Sequence, residues 1–291
     1  MRIFITGASG FIGSAVTNEL VRAGHQVIGL ARSDEAAESI TKAGATALRG
    51  SLDDLDILTK AAIESDGVIN LGFNNDFSNF EQSALTEFRA VEAMGESLIG
   101  TNRPFVIASG GPNLNETIDP GVSIVPRVGS TLKTLELAKH NVRSSVVRIS
   151  QCAHDGTKVG LISMLVDTAK RSGVSGYIGD GSNHWSAVHR LDAAHLFCLA
   201  LESAPSGSVL QAVAEGAIET REIAERIGLG LKLPVRSIPV DDAATHFGSL
   251  SRVLGADLIA SSERTQKLVN WQPTHPSLFW DLDHGHFFDS I

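Results

Sequence analysis

Thr6-Gly7-Ala8-Ser9-Gly10-Phe11-Ile12-Gly13 decides how this chain folds. The run before it, Arg2 to Thr6 (RIFIT), is short and β-rich. The stretch after it, Phe11 to Arg22, carries Phe11, Ile12, Val16, Leu20 and Val21 at helical spacing. A glycine turn between a strand and a helix is the context that phosphate binding demands. Gly7 permits the tight turn, Gly10 lets backbone N–H groups approach a pyrophosphate, and Gly13 lets the helix pack closely on the strand. The helix N-terminus adds partial positive charge. Gly7, Ala8, Ser9, Gly10, Phe11, Ile12 and Gly13 are thus a candidate cradle. The plainer alternative is a tight βα turn with no ligand.

Working outward, strands alternate with helical patterns. Gly24 stops the first helix, and Gln26 to Ala31 (QVIGLA) reads as a second strand. Ser33 to Ala43 is helical, Ala45 to Leu48 extended and Asp53 to Glu64 helical. Gly67 to Leu71 and Pro104 to Ala108 are buried-strand candidates, separated by a long helix over about Phe80 to Leu98. Arg127 to His140 is helical and Arg143 to Ile149 is another strand. This alternation predicts an α/β fold with a doubly wound parallel sheet covered on both faces. After Ile149 it becomes irregular, with helices at about Gly160 to Ser172, Leu191 to Ser203 and Ile218 to Gly228. Residues 1–150 are expected to hold a dinucleotide. Residues 151–291 are expected to form a small substrate lobe, with some segments returning to the sheet.

Composition narrows the function. The 291 residues carry 43% apolar and 20% charged side chains, which rules out a wholly disordered chain. Acids exceed bases to give a formal net charge of −9, and no basic block is present, which argues against a nucleic-acid partner. No run approaches the roughly 18 apolar residues of a membrane span. Cys152 and Cys198 have no CxxC spacing, so a disulfide scaffold and a zinc ribbon are both disfavoured. Glycines interrupt the N-terminal apolar stretch, and an amphipathic helix follows instead of a cleavage site. The expectation is a soluble cytoplasmic protein that acts on a small molecule, as monomer or homodimer.

GASGFIG after an N-terminal strand resembles the extended and atypical short-chain dehydrogenases/reductases, the epimerase/dehydratase superfamily. Two further blocks carry the resemblance. Arg49-Gly50-Ser51-Leu52-Asp53-Asp54 matches the segment that borders adenine, with Ser51 where Asp is usual. Trp185-Ser186-Ala187-Val188-His189-Arg190-Leu191-Asp192-Ala193-Ala194 matches a later W-x-x-V-H-x-x-D-x-A block. The resemblance implies a Rossmann-type fold and a nicotinamide cofactor. It also implies cofactor contacts from Ser51, Leu52, Leu71, Gly72 and Phe73. At the end of the second strand an acidic residue would bind ribose hydroxyls, whereas Arg suits a 2′-phosphate. The chain has Leu30-Ala31-Arg32-Ser33, so Arg32 and Ser33 favour NADP(H), with NAD(H) possible. A solvated Arg at a strand end is the alternative.

The resemblance also implies a Ser or Thr after the fifth strand and a Tyr-x-x-x-Lys pair on the next helix. Ser109 matches the first. The pair is absent, since the single tyrosine, Tyr177, lies outside any such motif. The best register puts Arg127 at the Tyr position and Thr131 at the Lys position. An Arg is no ordinary proton shuttle at neutral pH, but it can fix an anion or a developing oxyanion. Lys133 faces elsewhere on that helix. His154, in Gln151-Cys152-Ala153-His154-Asp155, is the candidate proton donor in place of the phenol, against a structural or solvated role. His189 reads as structural, packing near Trp185, and Cys152 as a buried thiol. The candidate catalytic residues are therefore Ser109, His154 and Arg127.

Two weaker constellations remain. The tail Trp280 to Asp289 has a His-Gly-His that would put two imidazoles on one side of an extended strand. No metal site is expected there, and docking of Phe279, Trp280, Phe287 and Phe288 on an apolar surface is favoured. The loop Phe73 to Phe80 suits a pocket wall, with Asp76 or Ser78 capping the following helix. The preferred activity is an NADP(H)-dependent oxidoreductase moving hydride between nicotinamide and a small carbonyl or alcohol. A non-redox epimerase, dehydratase or lyase-like enzyme and a non-catalytic NADP(H)-binding sensor stay open as alternatives.

Overall fold

In the computed structural model of the chain, residues 1–74, 79–110 and 126–289 are described. The first half alternates strictly. It runs β1 (Arg2–Thr6), α1 (Phe11–Arg22), β2 (Gln26–Ala31), α2 (Asp34–Lys42), β3 (Thr46–Arg49), α3 (Leu55–Ile63), β4 (Gly67–Asn70), α4 (Phe80–Glu96), β5 (Pro104–Ser109), α5 (Pro126–Leu137) and β6 (Arg143–Ile149). The second half is less regular. It runs β7 (Cys152–His154), α6 (Leu161–Ser172), β8 (Ser175–Ile178), β9 (His184–His189), α7 (Arg190–Ser203), β10 (Ser208–Ala212), β11 (Glu215–Glu219), α8 (Thr220–Leu231), β12 (Val235–Ile238), α9 (Ala243–Phe247), α10 (Ser251–Leu254), α11 (Glu263–Val269) and α12 (Leu278–His284).

Seven parallel strands form the main sheet in the order β3-β2-β1-β4-β5-β6-β10. The chain winds outward from β1 to β3, then crosses back to β4. That reversal creates a crevice at the carboxyl ends of β1 and β4, where ligands bind in such sheets. The two-residue side-chain period of a strand assigns the faces. Ile3 and Ile5 join Val16, Leu20, Leu196 and Phe197 on the side of α1 and α7. Phe4 joins Leu58, Val91, Met94, Leu98 and Phe105 on the side of α3, α4 and α5. A separate apolar cluster, with Trp185, Ile223, Phe247, Leu278 and Phe287, forms the core of the C-terminal part. There β11, β9 and β7 make a three-stranded sheet, and β12 pairs with β8.

The helices end where local chemistry says they should. Ser33 caps α2 by accepting from the Ala36 N–H, Asp34 and Glu35 fill its first turn, and Lys42 its last. Two expectations need correction. Ile218 lies on β11, and the helix starts only at Thr220, because β11 completes the edge of a sheet before the chain turns. The tail is not an extended strand: α12 runs to His284, whose ring stacks on Trp280 one turn earlier, while His286 pairs with Asp289. Phe287 is buried and joins the C-terminal core, whereas Trp280 is half exposed. From the second half, α7 packs on α1 and β10 extends the main sheet. Among the described residues no helix is long and apolar enough to cross a membrane.

Candidate functional site

The glycine turn occupies the crevice. Gly7 has φ +69°, and a β-carbon there would lie 2.7 Å from the Leu71 carbonyl carbon and 2.8 Å from the Gly72 nitrogen. A β-carbon at Gly13 would lie 1.9 Å from the Gly7 oxygen, so only glycine lets α1 start this close to the turn. Ser9 and Gly10 are exposed, and Gly10 caps α1 without any side-chain hydrogen bond. The first N–H groups of α1 are thereby left for an external acceptor. Across the crevice the Thr6 hydroxyl donates to Asn70 Oδ1 at 2.6 Å and accepts from the Gly72 N–H at 3.0 Å. These bonds lock the end of β1 to the loop after β4. The residues present therefore fit a pyrophosphate.

Along the edge toward β2 and β3 lie the residues expected around adenosine. Arg32 is exposed and has no ion pair among the described residues. Strand pairing sets Ala31 opposite Arg49, so a second arginine stands beside the end of β2, 3.4 Å from Asp34. Ser33 is committed to its cap and to Glu35, whose carboxyl it holds below the usual range. Ser51 is also locally engaged: its N–H and hydroxyl both donate to Asp54, at 2.7 and 2.9 Å, and lower that carboxyl's pKa. Leu52 lies against Gly72, where a β-carbon would come within 3.0 Å of its Cδ2. Phe73 packs on Phe80 with ring centroids 5.7 Å apart. Residues 75–78, with the two candidate caps Asp76 and Ser78, lie outside the described residues.

On the other side of the crevice, β5 ends at Ser109, 3.1 Å from the Thr131 hydroxyl of α5. Thr131 in turn donates to the Arg127 carbonyl one turn earlier. Arg127 itself forms a two-pronged pair with Glu87 of α4, Nε to Oε2 at 3.3 Å and Nη2 to Oε1 at 3.5 Å. Its guanidinium carbon sits 4.0 Å from the centroid of the Phe73 ring. Glu87 is 1% exposed and also accepts from Ser130. Burial pushes its carboxyl above the usual range, against the pull of Arg127. Lys133 points away and ties α5 to Glu92 and Glu96 at 3.1 and 2.6 Å.

His154 sits in different company. It is 1% exposed, its Nδ1 lies 2.6 Å from Asp281 of α12, and its Nε2 is buried without a partner. Its ring meets His189 edge-on at 5.5 Å, and His189 stacks on His275 at 4.9 Å. Asp192 anchors His275 at 2.8 Å and accepts the backbone N–H groups of Thr274 and His275. Asp155, adjacent to His154 in sequence, pairs instead with Arg190 at 2.8 Å. The cluster fastens the segment leading into α12, and no contact joins His154 to Ser109. Cys152 is buried, and burial pushes its thiol far up, which is the state of an inert thiol.

Glu87 belongs to no motif, yet the sequence carries a signal for it. Ala84, Glu87, Val91 and Met94 recur at helical spacing and are all buried on α4, so a carboxylate stands in the middle of an apolar stripe. Asp281 offered no such sign, because its partner is 127 positions away in sequence. Among the described residues no group of three or more His, Cys, Asp or Glu side chains is arranged to hold a metal ion.

A parallel sheet with a crevice at its reversal, closed by an uncapped helix behind a glycine turn, defines a dinucleotide-binding protein of the Rossmann type. Residues 3–100 match the sequence profile of the NAD dependent epimerase/dehydratase family. The chain is 43% identical over 295 residues to uncharacterized protein C2A9.02 of Schizosaccharomyces pombe, covering 99% of this chain and 100% of that one. It is 46% identical over 291 residues to uncharacterized protein YLL056C of Saccharomyces cerevisiae, covering 97% and 98%. Its fold matches dTDP-glucose 4,6-dehydratase DesIV of Streptomyces venezuelae, solved with NAD and TYD bound, with TM-score 0.73 and 16% identity over 97% of this chain and 96% of that one.

Proposed function

We propose that this protein is an NADP(H)-dependent oxidoreductase that interconverts a small carbonyl compound and its alcohol. The observation that carries the reading is the arrangement at the carboxyl edge of one parallel sheet, where the glycine turn follows β1 and the Ser109–Thr131 hydroxyl pair and Arg127 follow β5, with only β4 between the two strands. Residues 1–150 hold the cofactor in this reading, and residues 151–291 supply the substrate lobe, with α7 and β10 returning to the sheet.

A bound nicotinamide supplies or accepts the hydride at the carbonyl carbon. The protein's own groups manage the oxygen. The Ser109 hydroxyl donates to it, which stabilises the negative charge that develops there. The proton that completes the alcohol leaves Ser109 Oγ, which is reprotonated from water. Arg127 contributes a hydrogen bond and no proton, since guanidinium stays protonated. His154 takes no part in this reading, being buried and bound to Asp281.

NADP(H) is preferred over NAD(H) because no carboxylate ends β2, while Arg32 stands there with Arg49 beside it. The test is a titration of nucleotide-free protein with NADPH and NADH, repeated with Arg32→Ala. Tighter NADPH binding that is lost in the variant supports the reading. Equal affinities in the wild type remove the NADP(H) preference, and no binding of either removes the oxidoreductase. Steady consumption of NADPH with 4-nitrobenzaldehyde separates net reduction from a non-redox epimerase or dehydratase.

A further inference from the structure

The pair formed by Arg127 and Glu87 says more about the substrate than Arg127 does alone. A carboxylate on the buried stripe of α4 is costly, and Glu87 offsets that cost by taking two N–H groups of Arg127. Phe73 covers the flat face of the guanidinium at 4.0 Å. Nη1 has no partner among the described residues and lies beside Gly110, where a β-carbon would be 3.9 Å from it. One donor therefore reaches the residue next to Ser109, while the charge behind that donor is cancelled. The next basic group along α5, Lys133, is held by Glu92 and Glu96 and supplies no replacement charge.

Resting on the oxidoreductase reading, we propose that Glu87 is a positioning residue that holds Arg127 as a neutral pair, so that the site takes an uncharged carbonyl compound with an apolar flank. A carboxylate or phosphate in the same place would face Glu87 through Arg127 and find no net positive charge. An uncharged carbonyl oxygen receives a hydrogen bond from Nη1 and one from Ser109, and its apolar flank lies on Phe73 and Phe80.

Isothermal titration with benzamide and with benzoate, on the wild type and on Glu87→Gln, tests this without any turnover. The wild type should bind benzamide about tenfold or more tighter than benzoate. Glu87→Gln, which keeps the side-chain volume, should gain benzoate affinity by about tenfold, and Glu87→Gln/Arg127→Gln should lose that gain. A residue that merely joins α4 to α5 would weaken both ligands together and leave their ratio alone. The proposal is overturned if the wild type binds neither ligand, if it binds both equally, or if Glu87→Gln leaves the ratio unchanged. Should Glu87→Gln fail to fold, Arg127→Gln decides: benzamide affinity falling about tenfold with no benzoate gain supports the pair, and unchanged affinity overturns it. NADPH consumption with 4-nitrobenzaldehyde is read separately. Its absence, with the benzamide preference intact, removes the reductase and leaves the neutral pair standing.

Discussion

Two regions of this molecule bury a carboxyl group against a nitrogen-bearing side chain, and they put it to opposite uses. At the sheet edge Glu87 engages two arms of Arg127 and leaves the third beside Gly110, next to Ser109. Under α12, Asp281 and Asp192 fix a cluster of three imidazoles, with His154 and His189 buried and His275 at the surface. The lesson is that a titratable residue near a family motif is no guide to chemistry until its partners are counted. A buried pair with one donor unspent belongs to a site. A buried pair whose groups join distant parts of the chain belongs to the fold.

The sharpest way to break this contrast is Asp281→Ala. It strips His154 of its Nδ1 partner and removes the carboxylate 4.0 Å from His189 Nε2. Orphaning one partner of a buried pair costs about 3–5 kcal/mol. Urea denaturation should show that loss, while NADPH affinity measured on the folded protein stays within about twofold. An unchanged denaturation midpoint would move the cluster out of the fold's framework. Ser109→Ala should behave the other way round. Its kcat for 4-nitrobenzaldehyde reduction should fall roughly 100-fold or more, as when an oxyanion donor is lost, with the midpoint unmoved. A kcat near wild type would take Ser109 out of the reaction.

These two regions also differ in how much of them the sequence discloses. The glycine turn is readable because phosphate binding imposes its constraints on eight consecutive residues, Thr6 to Gly13, and the flanking strand and helix are local patterns. The end of β5 and the helical pattern of α5 are readable for the same reason, whereas the contact between Ser109 and Thr131 is a tertiary pairing that no local pattern announces. Long-range pairings are not local. His154 looked like a replacement acid because Cys152 and Asp155 are its neighbours in sequence, whereas its chemistry is set by Asp281 and by the ring of His189. Strand β11 was hidden for a related reason. Glu215 to Glu219 alternates too weakly to announce a strand, and its identity comes from pairing with β9.

Cofactor choice rests on a smaller difference, between Arg32, which has no ion pair among the described residues, and Arg49, which shares Asp34. Arg32→Ala should weaken NADPH by about 10- to 100-fold, the range for losing a hydrogen bond to a charged group, and leave NADH nearly unchanged. Arg49→Ala should cost less, because its charge is already partly neutralised in an exposed pair. Parallel NADPH and NADH titrations of the two variants check the order. Equal losses would mean that both arginines close on the phosphate.

The smallest effect is a pH dependence, and its sign follows from the cluster. Burial lowers the His189 pKa below its ordinary value, and the neighbouring His154 and His275 push the same way, while Asp281 and Asp192 pull against them. A histidine whose pKa is lowered on folding takes up its proton later in the native state than in the unfolded chain. The stability it confers is therefore present above the unfolded value of about 6.5 and is lost as pH falls through the lowered native value. Because the two carboxylates partly compensate, the loss should be small. His189→Asn keeps an acceptor for the Leu191 N–H that the imidazole now caps at 3.2 Å, so α7 retains its N-cap. Urea midpoints followed between pH 8 and pH 5 should fall more gently in this variant than in the wild type. Parallel slopes would show that the acid sensitivity arises outside the histidine cluster, and buried Glu87 on α4 would be the next place to look.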